Sequence, residues 1–192
     1  MDGTSKASFT LVAGLSSSGK STWLERHASG PTIIPFEFGD DLSKLPEGAL
    51  VHYNTLRYAD NDVLNIGRPF EADPFLREVL RRSGDFDVVY ICASPADLLR
   101  RIETRRTVER GEGVYPGRRI ARAMAAIDHR AFHAAWIDLF ARHARELRLI
   151  LSDAEGFREV GRDELLDLMG VPKAGLIARL MGFVGRLRPR AR

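Results

Sequence analysis

One short segment of the sequence combines the residue types that bind phosphate. Residues 14–21 read GLSSSGKS and match the pattern G-x-x-x-x-G-K-[ST]. Glycines permit the dihedral angles that turn successive amides into one concavity, and a helix that starts there adds positive potential at its N-terminus. We call residues 14–21 the glycine–serine loop. Its composition predicts a binding site for a polyphosphate.

The positions of this loop have distinct expected roles. Lys20 is expected to contact the β- and γ-phosphates of a nucleotide and to act in catalysis, and Ser21 is expected to ligate Mg²⁺. The competing interpretation is a glycine–serine turn with an incidental lysine, but the predicted strand before it and the predicted helix after it favour phosphate binding. The other cofactor-binding candidates here are Gly14, Ser16, Ser17, Ser18, Gly19 and Thr22.

Strands and helices are predicted to alternate along the chain. Such alternation indicates an α/β fold with a mostly parallel five-stranded sheet and helices on both faces. The predicted strands lie at Phe9–Ala13, 31–38, 48–54, 85–94 and 147–153. The predicted helices cover Lys20–Ala28, Asp73–Arg82, Pro95–Arg110, Arg118–Glu146 and 161–170.

Composition limits the class of protein. The 192 residues are 44% hydrophobic, which is enough for one core. The single cysteine, Cys92, excludes an intramolecular disulfide framework and is expected in the core. No apolar run reaches the roughly 18 residues that span a bilayer, so a cytoplasmic location is expected. The chain carries +3, but residues 173–192 hold six basic residues and no acid, so no specific nucleic-acid binding is expected of the remainder.

The order of segments from Phe9 to Gly170 resembles the small P-loop kinases, the group that contains adenylate, shikimate and adenylylsulfate kinases. GLSSSGKST is similar to the adenylylsulfate kinase loop, and VVYICASPADLLRRIETRR resembles the fourth strand and the arginine-rich helix before the lid. LILSDAEGFREV resembles the last strand and the loop that holds adenine. The resemblance implies a three-layer P-loop NTPase domain over residues 1–172, and transfer of the γ-phosphoryl of ATP, with Mg²⁺, to a small-molecule acceptor.

The same resemblance implies further site residues. A lid over about residues 106–119 would carry arginines onto the transferring phosphates, with Arg106 and Arg110 as catalytic candidates and Arg118 or Arg119 on its far side. Ala154 and Gly156 would lie against the adenine. For most of these arginines, a solvated helix face paired with acidic neighbours is the competing interpretation.

The acceptor is expected beyond the second and third strands. Asp40 or Asp41 is the candidate general base or holds Mg²⁺ through water, with a helix N-cap pair as the alternative. Arg57 is a candidate for binding an anionic acceptor. Asn54 stands where the resembled kinases usually carry an aspartate, and His52 is expected to be buried and hydrogen-bonded rather than catalytic.

Two other functions and one surface remain open at this point. A P-loop sulfotransferase would use a 3′-phosphorylated nucleotide without Mg²⁺, and a nucleotide-dependent switch would bind without catalysis. The basic tail, residues 173–192, places apolar residues along one helical face. It is expected to pack on the domain, with peripheral membrane contact as the alternative.

Overall fold

The computed structural model describes residues 8–28, 30–34, 42–56, 58–59, 62–63, 73–108, 124 and 126–170. The predicted lid beyond residue 108 and the basic tail lie outside these ranges. In the described part the strands are β1 (Phe9–Gly14), β2 (Thr32–Ile33), β3 (Ala49–Asn54), β4 (Tyr58–Ala59), β5 (Asp62–Val63), β6 (Phe86–Cys92), β7 (Glu146–Ser152) and β8 (Phe157–Glu159). The helices are α1 (Lys20–His27), α2 (Pro74–Arg81), α3 (Pro95–Val108), α4 (His129–His143) and α5 (Arg162–Leu168), with a 3₁₀ turn at Leu42–Lys44.

The strands form a mixed α/β architecture around a mostly parallel sheet. Six strands are ordered β2-β3-β1-β6-β7-β8, and β4 and β5 form a separate antiparallel pair. Neighbours β2, β3, β1, β6 and β7 pair in parallel, whereas β8 pairs antiparallel with β7. The carboxyl ends of the parallel strands therefore meet at one edge, where ligands bind in open α/β sheets.

Helices cover both faces of the sheet, and the apolar side chains of β1 therefore alternate between two cores. Leu11 belongs to the larger core, which also contains Trp136 of α4. Val12 points to the other face and packs in a smaller core with Trp23 and Leu24 of α1. The central strands are buried on both sides, which explains their continuous apolar sequence.

Two predictions about elements are wrong. Among the described residues the sheet has six strands rather than the predicted five, because the chain reverses after β7 and adds β8. Asp153 Oδ1 accepts hydrogen bonds from Glu155 N and Gly156 N, a turn that the sequence analysis treated as a loop. The predicted helix 118–146 is interrupted: Met124 and Ala126 are helical, Ile127 and Asp128 are not, and a new helix begins at His129 and ends at His143. At this start the Asp128 carboxylate accepts from Ala131 N at 3.0 Å.

No helix in the described ranges is long and apolar enough to cross a membrane.

Candidate functional site

The glycine–serine loop connects β1 to α1 through a conformation that most residues avoid. Ser17 has φ 65° and Gly19 has φ 104°, both in the left-handed region. A Cβ atom added to Gly19 would lie 2.8 Å from Ser152 Oγ, and one added to Gly14 would lie 2.2 Å from Ile91 O. The turn therefore needs glycine at both positions. Alternating left-handed residues before a helix bring backbone amides into a concavity that binds anions.

Lys20 lies at the first position of α1 and is buried, with 3% of its surface exposed. Its Nζ donates to Gly14 O at 3.0 Å and to Leu15 O at 2.7 Å. Burial lowers the pKa of Lys20 from 10.5 to about 7. The Lys20 ammonium group is held by neutral carbonyl oxygens, and its burial costs solvation energy. An anion that binds next to it would offset this cost.

Arg101 of α3 joins the loop to the turn after β7. Its Nη1 donates to Ser18 O and to Ser152 Oγ, each at 3.0 Å, and lies 3.5 Å from Ser17 O. Its Nη2 donates to Ser152 O at 3.1 Å and to Asp153 O at 3.3 Å. One guanidinium group thus bridges two loops at the carboxyl ends of β1 and β7.

These loops border a cleft of about 580 Å³. Because β3 and β7 lie on opposite sides of β1 in the sheet order, the cleft has two ends. His52 and Asn54 line the β3 end, and residues 153–157 line the β7 end. The remaining lining residues are Ser16, Ser17, Gly19, Lys20, Ser21, Thr22, Arg26, Ile34, Arg101, Arg105 and Ser152.

The β3 end carries an uncharged histidine. His52 is half-buried and lines the cleft rather than being enclosed in the core, which differs from expectation. Burial and the nearby charge of Lys20 lower the pKa of His52 to about 4. His52 is therefore neutral at pH 7, so its ring can accept a proton or a hydrogen bond. Asn54, two residues later on the same strand face, adds an amide.

The β7 end is partly aromatic. Phe157 lines the cleft, and the Arg26 guanidinium lies 5.6 Å from the centre of its ring. His27 stacks on Trp23 with ring centres 4.7 Å apart and meets Phe157 edge-on at 6.2 Å. These rings form a firm wall beside the turn at residues 153–156.

A separate polar cluster is buried on the larger-core face of the sheet. Tyr90 Oη and His133 Nδ1 share a hydrogen bond of 2.8 Å, and Tyr53 Oη donates to Asp73 Oδ2 at 2.9 Å. Burial lowers the pKa of His133 to about 3, so the ring stays neutral. Its Nε2 atom has no hydrogen-bond partner among the described residues.

Comparisons with known proteins show the fold class. No protein-family model matches the sequence, and no curated protein matches it. A chain in the crystal structure of the native AvrRxo1-ORF1:-ORF2 complex is similar, with a TM-score of 0.50 and 15% sequence identity. The match covers 92% of this chain and 70% of that chain. At this identity the likeness shows the α/β fold alone.

The structure brings several predicted site residues together. Lys20 and Ser21 line the same cleft as Ala154 and Gly156, which lie more than 130 positions later in the sequence. Ser16, Ser17, Gly19 and Thr22 also line it, whereas Ser18 is fully buried and Gly14 lies at the end of β1.

Other predicted site residues lie outside the described ranges or have side chains that the structure does not describe. Arg106 belongs to α3, but its side chain is not described. The remaining candidates lie outside the described ranges, namely Asp40, Asp41, Arg57, Arg110, Arg118 and Arg119. Their proposed roles stay predictions.

Arg26, Arg101, Ser152 and Phe157 line the cleft but were not named as site residues; Arg101 was predicted only within the arginine-rich helix, and Ser152 and Phe157 only within the last strand and the loop after it. One signal was present, since Arg101 and Arg105 are four residues apart and share a helix face.

Proposed function

We propose that this chain is a P-loop phosphotransferase that binds ATP with Mg²⁺ and moves the γ-phosphoryl group to a small-molecule acceptor. The observation that carries the proposal is the state of Lys20. Its buried ammonium group bonds only to carbonyl oxygens among the described residues, at the centre of a strained glycine–serine loop and at the rim of a cleft. Such a costly arrangement fits a site whose negative charge arrives with the ligand.

The residues present fit the nucleotide and the metal ion. Gly14 and Gly19 let the loop backbone pack closely against Ile91 O and Ser152 Oγ, which keeps the loop in a conformation that can direct its amides toward a phosphate chain. Ser21 is exposed at the second position of α1 and lines the cleft, where its hydroxyl would hold Mg²⁺. Magnesium takes much of its coordination from water and substrate phosphates, so a single hydroxyl beside the phosphates is a suitable ligand.

The chain's own residues would act through position and charge. Amides of the first turn of α1 have no partner within the helix and are free to bind phosphate oxygens. Lys20 would move from its two carbonyl oxygens to the phosphates, and Arg105, which lines the cleft, would add a second cation. When bound, Mg²⁺–ATP supplies the transferable phosphoryl group and a divalent charge that offsets the negative charge of the transition state.

The two ends of the cleft have different chemistry, and this supports an assignment of substrates. The turn at residues 153–157 is the proposed adenine side, as the resemblance to small P-loop kinases implies. His52 and Asn54 at the β3 end present neutral hydrogen-bonding groups, which suit an acceptor hydroxyl. Asp40 or Asp41 is proposed as the general base that takes the proton of that hydroxyl.

The experiment follows ATP by phosphorus NMR in the presence of Mg²⁺ and pooled small hydroxyl compounds. The proposal expects ADP together with a new phosphomonoester signal, and Lys20→Met should slow both by about a hundredfold or more. Arg77→Met is a control, because Arg77 is exposed on α2 away from the cleft lining. Intact ATP after prolonged incubation with every pool would overturn the transferase function.

A further inference from the structure

The side chain of Arg101 connects two loops of the cleft. Its two terminal nitrogens donate to acceptors on the glycine–serine loop and on the β7–β8 turn. The acceptors lie 51 to 83 positions from Arg101 in the sequence.

We infer that Arg101 is a positioning residue, which holds the backbone of the glycine–serine loop in its phosphate-binding conformation by fixing it to the β7–β8 turn. This inference rests on the proposed function, because it assigns Arg101 to the support of that same site. Arg101 would act through the loop backbone and would not itself contact the reacting phosphoryl group.

Peptide geometry explains how the contact could work. The peptide unit is planar and trans, so its N–H points away from its C=O. When Arg101 binds Ser18 O at 3.0 Å, the amide of Gly19 must point away from the guanidinium group. The Ser18 amide donates within the loop to Leu15 O at 3.2 Å, and the longer contact to Ser17 O supports this internal turn. Arg101 thereby fixes carbonyl groups on its own side of the loop and leaves the Gly19 amide directed to the other side.

The loop needs such support because its backbone is unfavourable. Ser17 is a non-glycine residue at φ 65°, and Gly19 is at φ 104°. A non-glycine residue in a sparsely populated region such as that of Ser17 persists only where surrounding contacts fix it. Arg101 supplies these contacts to the carbonyl groups of Ser17 and Ser18, directly inside the strained segment.

The side-chain chemistry of arginine is specific to this task. Its planar guanidinium presents donors in a rigid fork, whereas a lysine ammonium is a compact point charge. The neighbouring Arg100 has a different partner, since it donates to Asp97 Oδ1 at 2.9 Å. Arg100 is mostly exposed, with 62% of its side-chain surface accessible. It is therefore a matched control on the same helix.

The test measures binding of inorganic tripolyphosphate and of Mg²⁺–ATP by calorimetry at 10 °C, where folded protein predominates. We expect Arg101→Ala and Arg101→Lys each to weaken both affinities by tenfold or more, and Arg100→Ala to change them less than twofold. Methylguanidinium at millimolar concentration should restore at least half of the lost affinity to Arg101→Ala and none to Arg100→Ala. If the wild type binds and both Arg101 variants bind with the same affinity as the wild type, the positioning role of Arg101 is overturned while the proposed function still stands.

A spectroscopic measurement separates positioning from general support of the fold. In ¹⁵N-labelled Arg101→Lys, tripolyphosphate should no longer shift the Gly19 amide signal, while signals from α4 and β6 remain as in the wild type. Loss of dispersion across the whole spectrum would mean that Arg101 supports the fold in general and would overturn the positioning role. If the wild type binds neither tripolyphosphate nor Mg²⁺–ATP, the proposed function itself fails.

Discussion

Replacing Lys20 by methionine should stabilise the protein while it abolishes binding of polyphosphate. Lys20 is buried, and burial lowers its pKa from 10.5 to about 7. At about 1.4 kcal/mol per pKa unit, this shift corresponds to a cost on the order of 5 kcal/mol for the fully charged side chain in the folded state. Methionine has a similar length and no charge, so it avoids this cost.

The hydrogen bonds that Lys20 loses offset only part of the gain. Gly14 O also accepts from Thr55 N at 3.1 Å, and Leu15 O also accepts from Ser18 N at 3.2 Å. Both carbonyl groups therefore keep a partner, and the loss is about 1 kcal/mol for each bond. We expect Lys20→Met to raise the free energy of unfolding by roughly 2–3 kcal/mol at pH 7.

The stability difference between Lys20→Met and the wild type should depend on pH. Below pH 7 Lys20 is charged in both the folded and the unfolded state, so the full cost is present. Above pH 10.5 it is neutral in both states, and the cost is absent. The free energy of unfolding of the wild type should therefore rise between pH 7 and pH 10.5 relative to that of Lys20→Met. The comparison of the two proteins cancels the contribution of other titrating groups.

The assay is urea unfolding of both proteins at several pH values from 6 to 10, with Arg77→Met as the control for loss of an exposed cation. The difference between Lys20→Met and the wild type should be largest at pH 6 and should shrink as the pH rises. A variant less stable than the wild type at pH 7, or a difference that does not depend on pH, would refute the reasoning.

Three further predictions concern other parts of the structure. Burial lowers the pKa of His133 to about 3, so between pH 6.5 and pH 3 the unfolded state binds a proton at this residue that the folded state does not. The free energy of unfolding should therefore fall by several kcal/mol over this pH range. His133→Phe should flatten the dependence of the unfolding free energy on pH, as measured by urea unfolding. Asp73 caps α2 and accepts from Tyr53 Oη, so Asp73→Ala should cost about 2–4 kcal/mol and Asp73→Asn distinctly less; equal losses would contradict the account. Gly19→Ala should weaken tripolyphosphate binding by tenfold or more, as calorimetry would show, because the new Cβ meets Ser152 Oγ at 2.8 Å; unchanged affinity would contradict it.

The sequence predicted the parts of the fold that local chemistry determines. The strands β1, β3, β6 and β7 are rich in apolar, β-branched or aromatic residues, and each is found close to its predicted position. The helix α2 was predicted from Asp73 to Arg82, and the Asp73 carboxylate indeed accepts from the amides of Phe75 and Leu76. The glycine–serine loop was recognisable because its chemistry needs particular residues at fixed spacing.

Features that depend on tertiary packing were missed. β8 has three residues and exists because the turn at Asp153 returns the chain against β7, which no periodicity signals. α3 carries several arginines, and the sequence cannot tell which of them faces the loops, since this depends on how the helix packs. Arg101 was therefore predicted only as part of the arginine-rich helix before the lid, and His52 was assigned to the interior because a single histidine in a strand has no pattern of its own.

The most direct test of the central claim is calorimetry of the full chain with ATP and with 3′-phosphoadenosine 5′-phosphate, each with and without Mg²⁺, repeated on Lys20→Met. The account predicts ATP binding that requires Mg²⁺, that is stronger than binding of the 3′-phosphorylated nucleotide, and that Lys20→Met abolishes. Preference for the 3′-phosphorylated nucleotide irrespective of Mg²⁺ would contradict it and would indicate sulfuryl transfer instead.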